Sequence, residues 1–302
     1  MRRLLFVALG ALLVLAGCGT PPPPRPTLQF GLVGEPFGAA PAIAAEDRLP
    51  LPLHLARGQA ALAAPFLIAP STLLPQLATQ GFVALGAACS SPPDVLLWHG
   101  EGLFSWRDLR GQPLYVAPGA DAQALGAAIA RYAGVLSPLP EPISQTGGVA
   151  AFERNPAGFL LAPEPLATAL FAKGKAALAQ ALPDELGPYP TCLLYTRRET
   201  LAREPLLSLQ IVRALNLGLW RLSSEDPGQL ALALRPLDPA VSPTSLLRAL
   251  LTARAERVFP DSLYLSPAAL QRLEQEFPGG RLPQGAVDTE LALRALRDPF
   301  AH

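Results

Sequence analysis

The sequence predicts an α/β fold with parallel sheets. Short apolar, strand-like runs alternate with helical patterns up to Thr196, and everything beyond is helical. No stretch repeats at a period of about 20 to 50 residues. The helical last third must therefore cover one of the sheets.

Leu28 to Val33 reads as a strand entering the turn Gly34-Glu35-Pro36-Phe37-Gly38, and Pro41 to Ala45 can start a helix. Leu51 to Leu55 alternates as a short strand. Phe66 to Ala69 is a brief apolar run, and Ser71 can cap a helix from Thr72 to Thr79. Phe82 to Cys89 and Val95 to His99 read as strands, the first one buried. Leu114 to Ala117 is the next strand. Pro118-Gly119 then turns into a helix whose Leu125, Ala128, Ile129 and Tyr132 share one apolar face, with Gly134 as its stop. Phe159 to Ala162 is a strand before Pro163-Glu164-Pro165 and a helix through Leu170. Leu193 to Thr196 is the last strand. Leu206 to Arg221 is helical, with apolar residues at 206, 209, 212, 215, 219 and 220 and Asn216 among them. Further helices open at Ser224, at Ser242 or Thr244, and at Ser266. Gly279-Gly280 breaks the chain before a last short helix, Thr289 to Leu296.

The N-terminus lies outside that fold. Arg2 and Arg3 precede an uncharged apolar run, Leu4 to Gly17. At about 14 residues it falls short of the about 20 that a spanning helix takes, and fits a secretory signal over 1–17. Leu15-Ala16-Gly17-Cys18 resembles a bacterial lipobox, which implies cleavage before Cys18 and a lipid on its sulfur; a plain signal peptide is the alternative. Residues 18–27 would then form a tether. Its four consecutive prolines favour a stiff polyproline II spacer rising about 3.1 Å per residue.

The rest is long enough for one large or two smaller domains. Two of the 24 basic residues are Arg2 and Arg3, so the remainder is slightly acidic against 24 acidic residues. No basic patch stands out, so no nucleic-acid partner is expected. Asn occurs only at 155 and 216 and Lys only at 173 and 175. A thermophilic origin and a GC-rich genome both fit that bias. Cys89 and Cys192 are either a disulfide, permitted outside the cell, or two buried thiols, the reading preferred here. No C-x-x-C or histidine cluster suggests a metal.

Phe104 to Gly119 (F-S-W-R-D-L-R-G-Q-P-L-Y-V-A-P-G) resembles a segment of substrate-binding proteins of ABC importers, in the nitrate/sulfonate/taurine and thiamine-pyrimidine binding family. Leu55 to Ala61 with Ala64-Pro65, the strand Gly158 to Ala162 ending in Pro163-Glu164-Pro165, Tyr189-Pro190 before Cys192 to Thr196, and the helix with Pro205 and Ala214 follow in the same order. The chain departs from the pattern at Ala61, where the family has aspartate, and at Ala157-Gly158. The resemblance implies a two-lobe type II periplasmic-binding fold with an interlobe ligand cleft. It places residues 27–110 plus 192–302 in the first lobe and 111–191 in the second. It also implies a monomer outside the cytoplasmic membrane that hands a small molecule to an ABC permease, with no cofactor.

Candidate ligand contacts follow. Pro118-Gly119-Ala120-Asp121 sits where a strand meets a helix N-terminus, a place for an anion or acceptor, or else an ordinary turn in which Asp121 serves the first helical turn. Glu164 can accept from an amine or pyrimidine amino group, or simply favour a helix start beside Pro165. Phe37, Pro65, Phe66 and Tyr189 complete the set, with Trp98 and Trp106 as further aromatics near strand ends that are core or cleft. Arg57 can pair an anion or stay solvated, and His54 and His99 are read as structural. A pyrimidine-like heterocycle is favoured over a sulfonate-type anion.

No G-x-S-x-G, H-E-x-x-H, Walker loop or G-x-G-x-x-G is present, so no enzyme is expected. A Cys–His pair would need Cys89 or Cys192 with His54 or His99, and the run around Cys89 looks buried, which disfavours a reactive thiolate. The alternatives are a degenerate binding fold acting as an envelope sensor, motivated by Ala61, and an enzyme on the same fold.

Overall fold

The structure, a computed structural model, describes residues 26–34, 36–132, 142–143, 148–277 and 280–297. The expected signal segment 1–17, the lipid site Cys18, most of the tether and the helix stop at Gly134 lie outside the described residues.

The strands are β1 (Leu28–Leu32), β2 (Leu53–Arg57), β3 (Phe66–Pro70), β4 (Phe82–Cys89), β5 (Asp94–Trp98), β6 (Leu114–Val116), β7 (Pro142–Ile143), β8 (Phe159–Pro163), β9 (Ala177–Ala181) and β10 (Cys192–Arg197). They build two five-stranded sheets, ordered β2-β1-β3-β10-β4 and β7-β6-β8-β5-β9. Each sheet is the centre of one lobe.

Both sheets are mixed, not purely parallel as expected. β10 runs antiparallel to β3 and β4, and β5 runs antiparallel to β8 and β9. These two strands bring the chain in from the other lobe. They begin at the junction and run away from it, whereas β1, β3, β6 and β8 run toward it. The lobe boundary also moves. Residues 94–110 were expected in the first lobe, yet β5 pairs in the second sheet, and Trp106 and Leu109 pack in that lobe's core. Among the described residues the chain crosses at 90–93 and again at 187–191. The crossings are tied together, with Tyr189 N–H donating to the Ser90 carbonyl (2.8 Å) and Thr191 N–H to that of Cys89 (3.1 Å).

Why both faces of each sheet are covered is visible in the side-chain alternation. Successive residues of a strand point to opposite faces. In β3, Phe66 and Ile68 join one core and Leu67 and Ala69 another. In β8, Phe159 and Leu161 separate from Leu160 and Ala162 in the same way. A strand apolar on both faces needs helices on both. In the first lobe Leu74–Thr79 and Pro267–Gln275 cover one face, and Ala40–Ala44 with Pro205–Ser224 the other. Gly218 lets the last two helices approach, because a Cβ there would stand 1.9 Å from the Pro41 carbonyl oxygen. The buried stripe of Pro205–Ser224 runs through Leu209, Val212, Leu215, Leu219 and Leu222, while Leu206 and Trp220, expected on it, are 74% and 56% exposed.

Beyond Thr196 the chain is not wholly helical, since Val287 forms an isolated parallel bridge with Ala84 on β4. Ser242 and Ser266 cap their helices as expected, and Asp226, not Ser224, caps Pro227–Ala233. The strands β7 and β9 and the helices Gly148–Arg154 and Leu182–Leu186 carry no expectation from sequence. Ala169 of the second lobe packs with Ala231, Val241 and Leu246 of the first, an apolar contact outside the cleft. Among the described residues no helix is long and apolar enough to cross a membrane.

Candidate functional site

A cleft of about 360 Å³ opens where the strand ends of the two lobes converge. This is the usual place for a ligand in open α/β sheets. The first lobe contributes Val33, Gly34, Pro70, Thr72 and Leu73, the second Asp94 and Gly119 to Ala122, and the crossings and their ends Pro92, Pro93, Thr191 and Cys192. Its walls meet closely. Gly119 has φ +90, a conformation that favours glycine, and a Cβ there would stand 3.2 Å from the Gly34 carbonyl oxygen of the first lobe.

Of the residues expected at the site, Gly119, Ala120 and Asp121 line the cleft. Their role differs from the anion seat. Asp121 is the N-cap of the helix Ala122–Arg131, and its Oδ1 accepts from Gln123 N–H (2.9 Å) and Ala124 N–H (3.1 Å). Ala120 N–H donates to the Ala117 carbonyl at 3.2 Å. The helix N-terminus is thus served by the protein's own carboxylate, the side-chain cap of ordinary helix chemistry.

The residue missed from sequence is Asp94. It opens β5 after Pro92-Pro93, is 1% exposed, and lines the cleft. Its Oδ2 accepts from Asp121 N–H at 3.3 Å, and its Oδ1 is buried with no hydrogen-bond partner. Burial above all, then the Asp121 carboxylate and more weakly Glu164, raise its titration to about 8, against the pull of the Asp121 N–H. The only sequence signal was a charge at the threshold of an apolar run.

Glu164 lies next to this acid without lining the cleft. Its N–H donates to the Pro93 carbonyl (3.0 Å), and its two carboxylate oxygens accept from Thr168 N–H (3.1 Å) and Thr168 Oγ1–H (2.9 Å). Burial pushes its titration upward, against both Thr168 bonds. The helix-start alternative therefore describes Glu164. Tyr189 is buried beside the cleft, with the Arg272 guanidinium 5.5 Å from its ring centroid. Burial first, then Asp121, Glu276 and Asp94, raise its hydroxyl's titration.

Three expected contacts belong elsewhere. Phe37 is fully buried against Phe259, with ring centroids 5.8 Å apart, and Phe66 stacks on Phe30 at 5.6 Å, so both fill the first lobe's core. Pro65 offers its carbonyl to Thr196 Oγ1 (3.0 Å) and Arg197 N–H (3.2 Å), a structural tie of β10. Trp98 stacks on Phe159 and Trp106 on Tyr132 within the second lobe. Arg57 donates to the Leu237 carbonyl. His54 is exposed on edge strand β2, and a His99 ring nitrogen lies 3.1 Å from the Phe152 carbonyl oxygen. Cys89 and Cys192 are buried and face each other in the register of β4 and β10. Among the described residues, no three or more His, Cys, Asp or Glu side chains group so as to hold a metal.

No family model matches the sequence, and no curated protein matches it. The likeness is to solved structures. The alkanesulfonate-binding protein SsuA of Xanthomonas axonopodis pv. citri, bound to MOPS, superposes with a TM-score of 0.69 at 19% identity, over 88% of this chain and 99% of that one. The ligand-binding component of an ABC-type import system from Staphylococcus aureus gives 0.71 at 12% identity, over 90% and 99%. The desulfurization enzyme DSZB gives 0.60 at 16%, over 89% and 99%, so enzymes share this architecture too. The chain therefore has the two-lobe, type II periplasmic-binding fold with a cleft between its lobes.

Proposed function

We propose that this chain is an extracytoplasmic solute-binding protein that captures a small molecule between its lobes and delivers it to an ABC importer. The observation that carries the reading is the interlobe cleft. It is lined from both lobes and the crossing, and it holds a buried carboxyl with an unpartnered oxygen. The fold it sits in is shared with proteins named for binding alkanesulfonate and for ABC import. Closing two lobes on a solute needs walls that approach and crossings that bend, and the Gly34–Gly119 contact and the segments 90–93 and 187–191 suit those tasks. Asp94, Asp121 and the Gly119 turn are assigned to the ligand. Phe37, Phe66 and Pro65 are assigned to the fold.

In this reading Cys18 carries a lipid and the chain works at the outer face of the cytoplasmic membrane, on the strength of Leu15-Ala16-Gly17-Cys18. The departure at Ala61 does not argue for a degenerate cleft, because Ala61 is wholly buried in the first lobe and is not among the cleft-lining residues.

The test is a thermal-shift screen of the full-length protein in detergent against amines, amidines, neutral heterocycles, sulfonates and nitrate. A ligand at a hundred times its Kd adds about 2.7 kcal/mol to the folded state, a shift of several degrees. A shift that Gly119→Val removes supports the reading. A panel in which no compound moves the melting point overturns it.

A further inference from the structure

We infer that the cleft is a cation site, and that its solute presents a protonated nitrogen, an ammonium or amidinium, to Asp94 on a small apolar body. The inference rests on the solute-binding reading and names its substrate class.

Four observations converge. Asp94 lines the cleft, and its Oδ1 is buried with no hydrogen-bond partner. Native proteins rarely leave a buried acceptor unmatched, and a ligand N–H entering the cleft would match this one. Second, Asp121 lines the same cleft and Glu164 stands behind, while no Lys, Arg or His is among the lining residues. An anion would enter between carboxyl groups with no cation to meet it. Third, three of the N–H groups that an anion would use at the helix start are already bonded. Asp121 N–H is given to Asp94, and those of Gln123 and Ala124 to Asp121. Fourth, the facing wall from the first lobe is Val33, Gly34, Pro70, Thr72 and Leu73, mostly apolar with one hydroxyl and no charge, which suits a small apolar body.

The groups facing Asp94 are Asp121 from the helix start, Glu164 from the end of β8 and the Tyr189 hydroxyl from the crossing. Arg272 lies over the Tyr189 ring and is paired with Glu276 at 3.1 Å. With those neighbours Asp94 holds its proton in the empty cleft at neutral pH. Binding a cation then follows a balanced exchange. The carboxylic acid gives its proton to the buffer, and the resulting carboxylate accepts N–H bonds from the ammonium or amidinium. Affinity therefore rises with pH up to the titration of Asp94 and levels off above it.

The experiment is calorimetric titration of the full-length protein in detergent with benzamidine, n-hexylammonium, methanesulfonate and nitrate, in two buffers of different ionisation enthalpy. The expected result is binding of the two cations, with release of a substantial fraction of a proton at pH 7. Asp94→Asn should lose at least tenfold in affinity while keeping its circular dichroism and a cooperative melting transition. Arg203→Gln, on an exposed surface helix away from the cleft, serves as a folded control. Saturable binding of methanesulfonate or nitrate, with neither cation bound, overturns the cation assignment and leaves the solute-binding reading standing. Cation binding that Asp94→Asn does not weaken overturns the role of Asp94. Failure of all four probes together with the wider screen overturns both readings.

Discussion

Replacing Asp94 by asparagine tests the buried acid without any ligand. Asparagine keeps the shape, and its oxygen can still accept from Asp121 N–H, but it cannot ionise. In the folded protein Asp94 titrates near 8, against 3.8 when unperturbed, mainly because it is buried and because Asp121 is beside it. Between those values the folded state holds a proton that the unfolded chain has lost. The stability this group contributes is therefore complete below about pH 4 and declines as pH rises toward about 8. The slope approaches roughly 1.4 kcal/mol per pH unit. From pH 5 to 7 that amounts to about 2 to 3 kcal/mol, or roughly 5 °C in a chain of this size. Glu164 and Asp121 are shifted in the same direction and keep a residual slope in both proteins. The informative quantity is the difference. Melting curves of parent and Asp94→Asn at four pH values from 5 to 8 should show the variant gaining on the parent as pH rises. A difference that stays flat across that range would mean Asp94 ionises like a surface carboxylate, and the burial argument fails.

Other outcomes follow from the same geometry. Gly119→Ala places a side chain at φ +90 and 3.2 Å from the Gly34 carbonyl oxygen, so it should cost about 1 to 2 kcal/mol of stability and weaken any solute bound between the lobes, read by melting and titration. Phe37→Ala removes a buried ring of the first lobe and should cost about 3 to 5 kcal/mol in urea unfolding, with the ranking of ligands unchanged; a changed ranking would return Phe37 to the cleft. Thr168→Val strips two hydrogen-bond partners down to one at Glu164 and should destabilise by about 1 to 3 kcal/mol, more at high pH, where the carboxylate must ionise. Asp121→Ala removes the cap of Ala122–Arg131 and should cost about 1 kcal/mol.

Much of the architecture was legible from local pattern. The apolar runs of β3, β4 and β8, and the serine caps at 242 and 266, are decided by a few neighbouring residues, and they stand where the sequence put them. What was not legible depends on distant parts of the chain. Val95 to His99 reads as a strand, but nothing in it says which sheet it joins. Phe37 near a strand end looks equally suited to a cleft or a core, and its ring partner Phe259 is far off in sequence. Asp94 drew no expectation, because its burial comes from the 119–121 turn and the end of β8 folding over it. At Asp121 both readings were open, and the cap depends on Asp121 Oδ1 receiving the Gln123 and Ala124 N–H groups, a geometry that forms only once the helix has folded.

The second lobe is an insertion within the first. Cys89 and Cys192 stand side by side in one sheet, although the whole of the other lobe intervenes. Joining β4 to β10 in an unstructured chain would close a loop of about a hundred residues, at an entropic cost that grows as (3/2)RT ln n. Once the inserted lobe has folded, Tyr189 and Thr191 already lie against residues 89–91, and most of that cost has been met by contacts inside the insertion. Folding of the inner lobe thus prepares the outer one. Its own ends are neighbours, so it is the half of the molecule better suited to independent expression, whereas the first lobe, cut at the crossings, would fall into two separate chains.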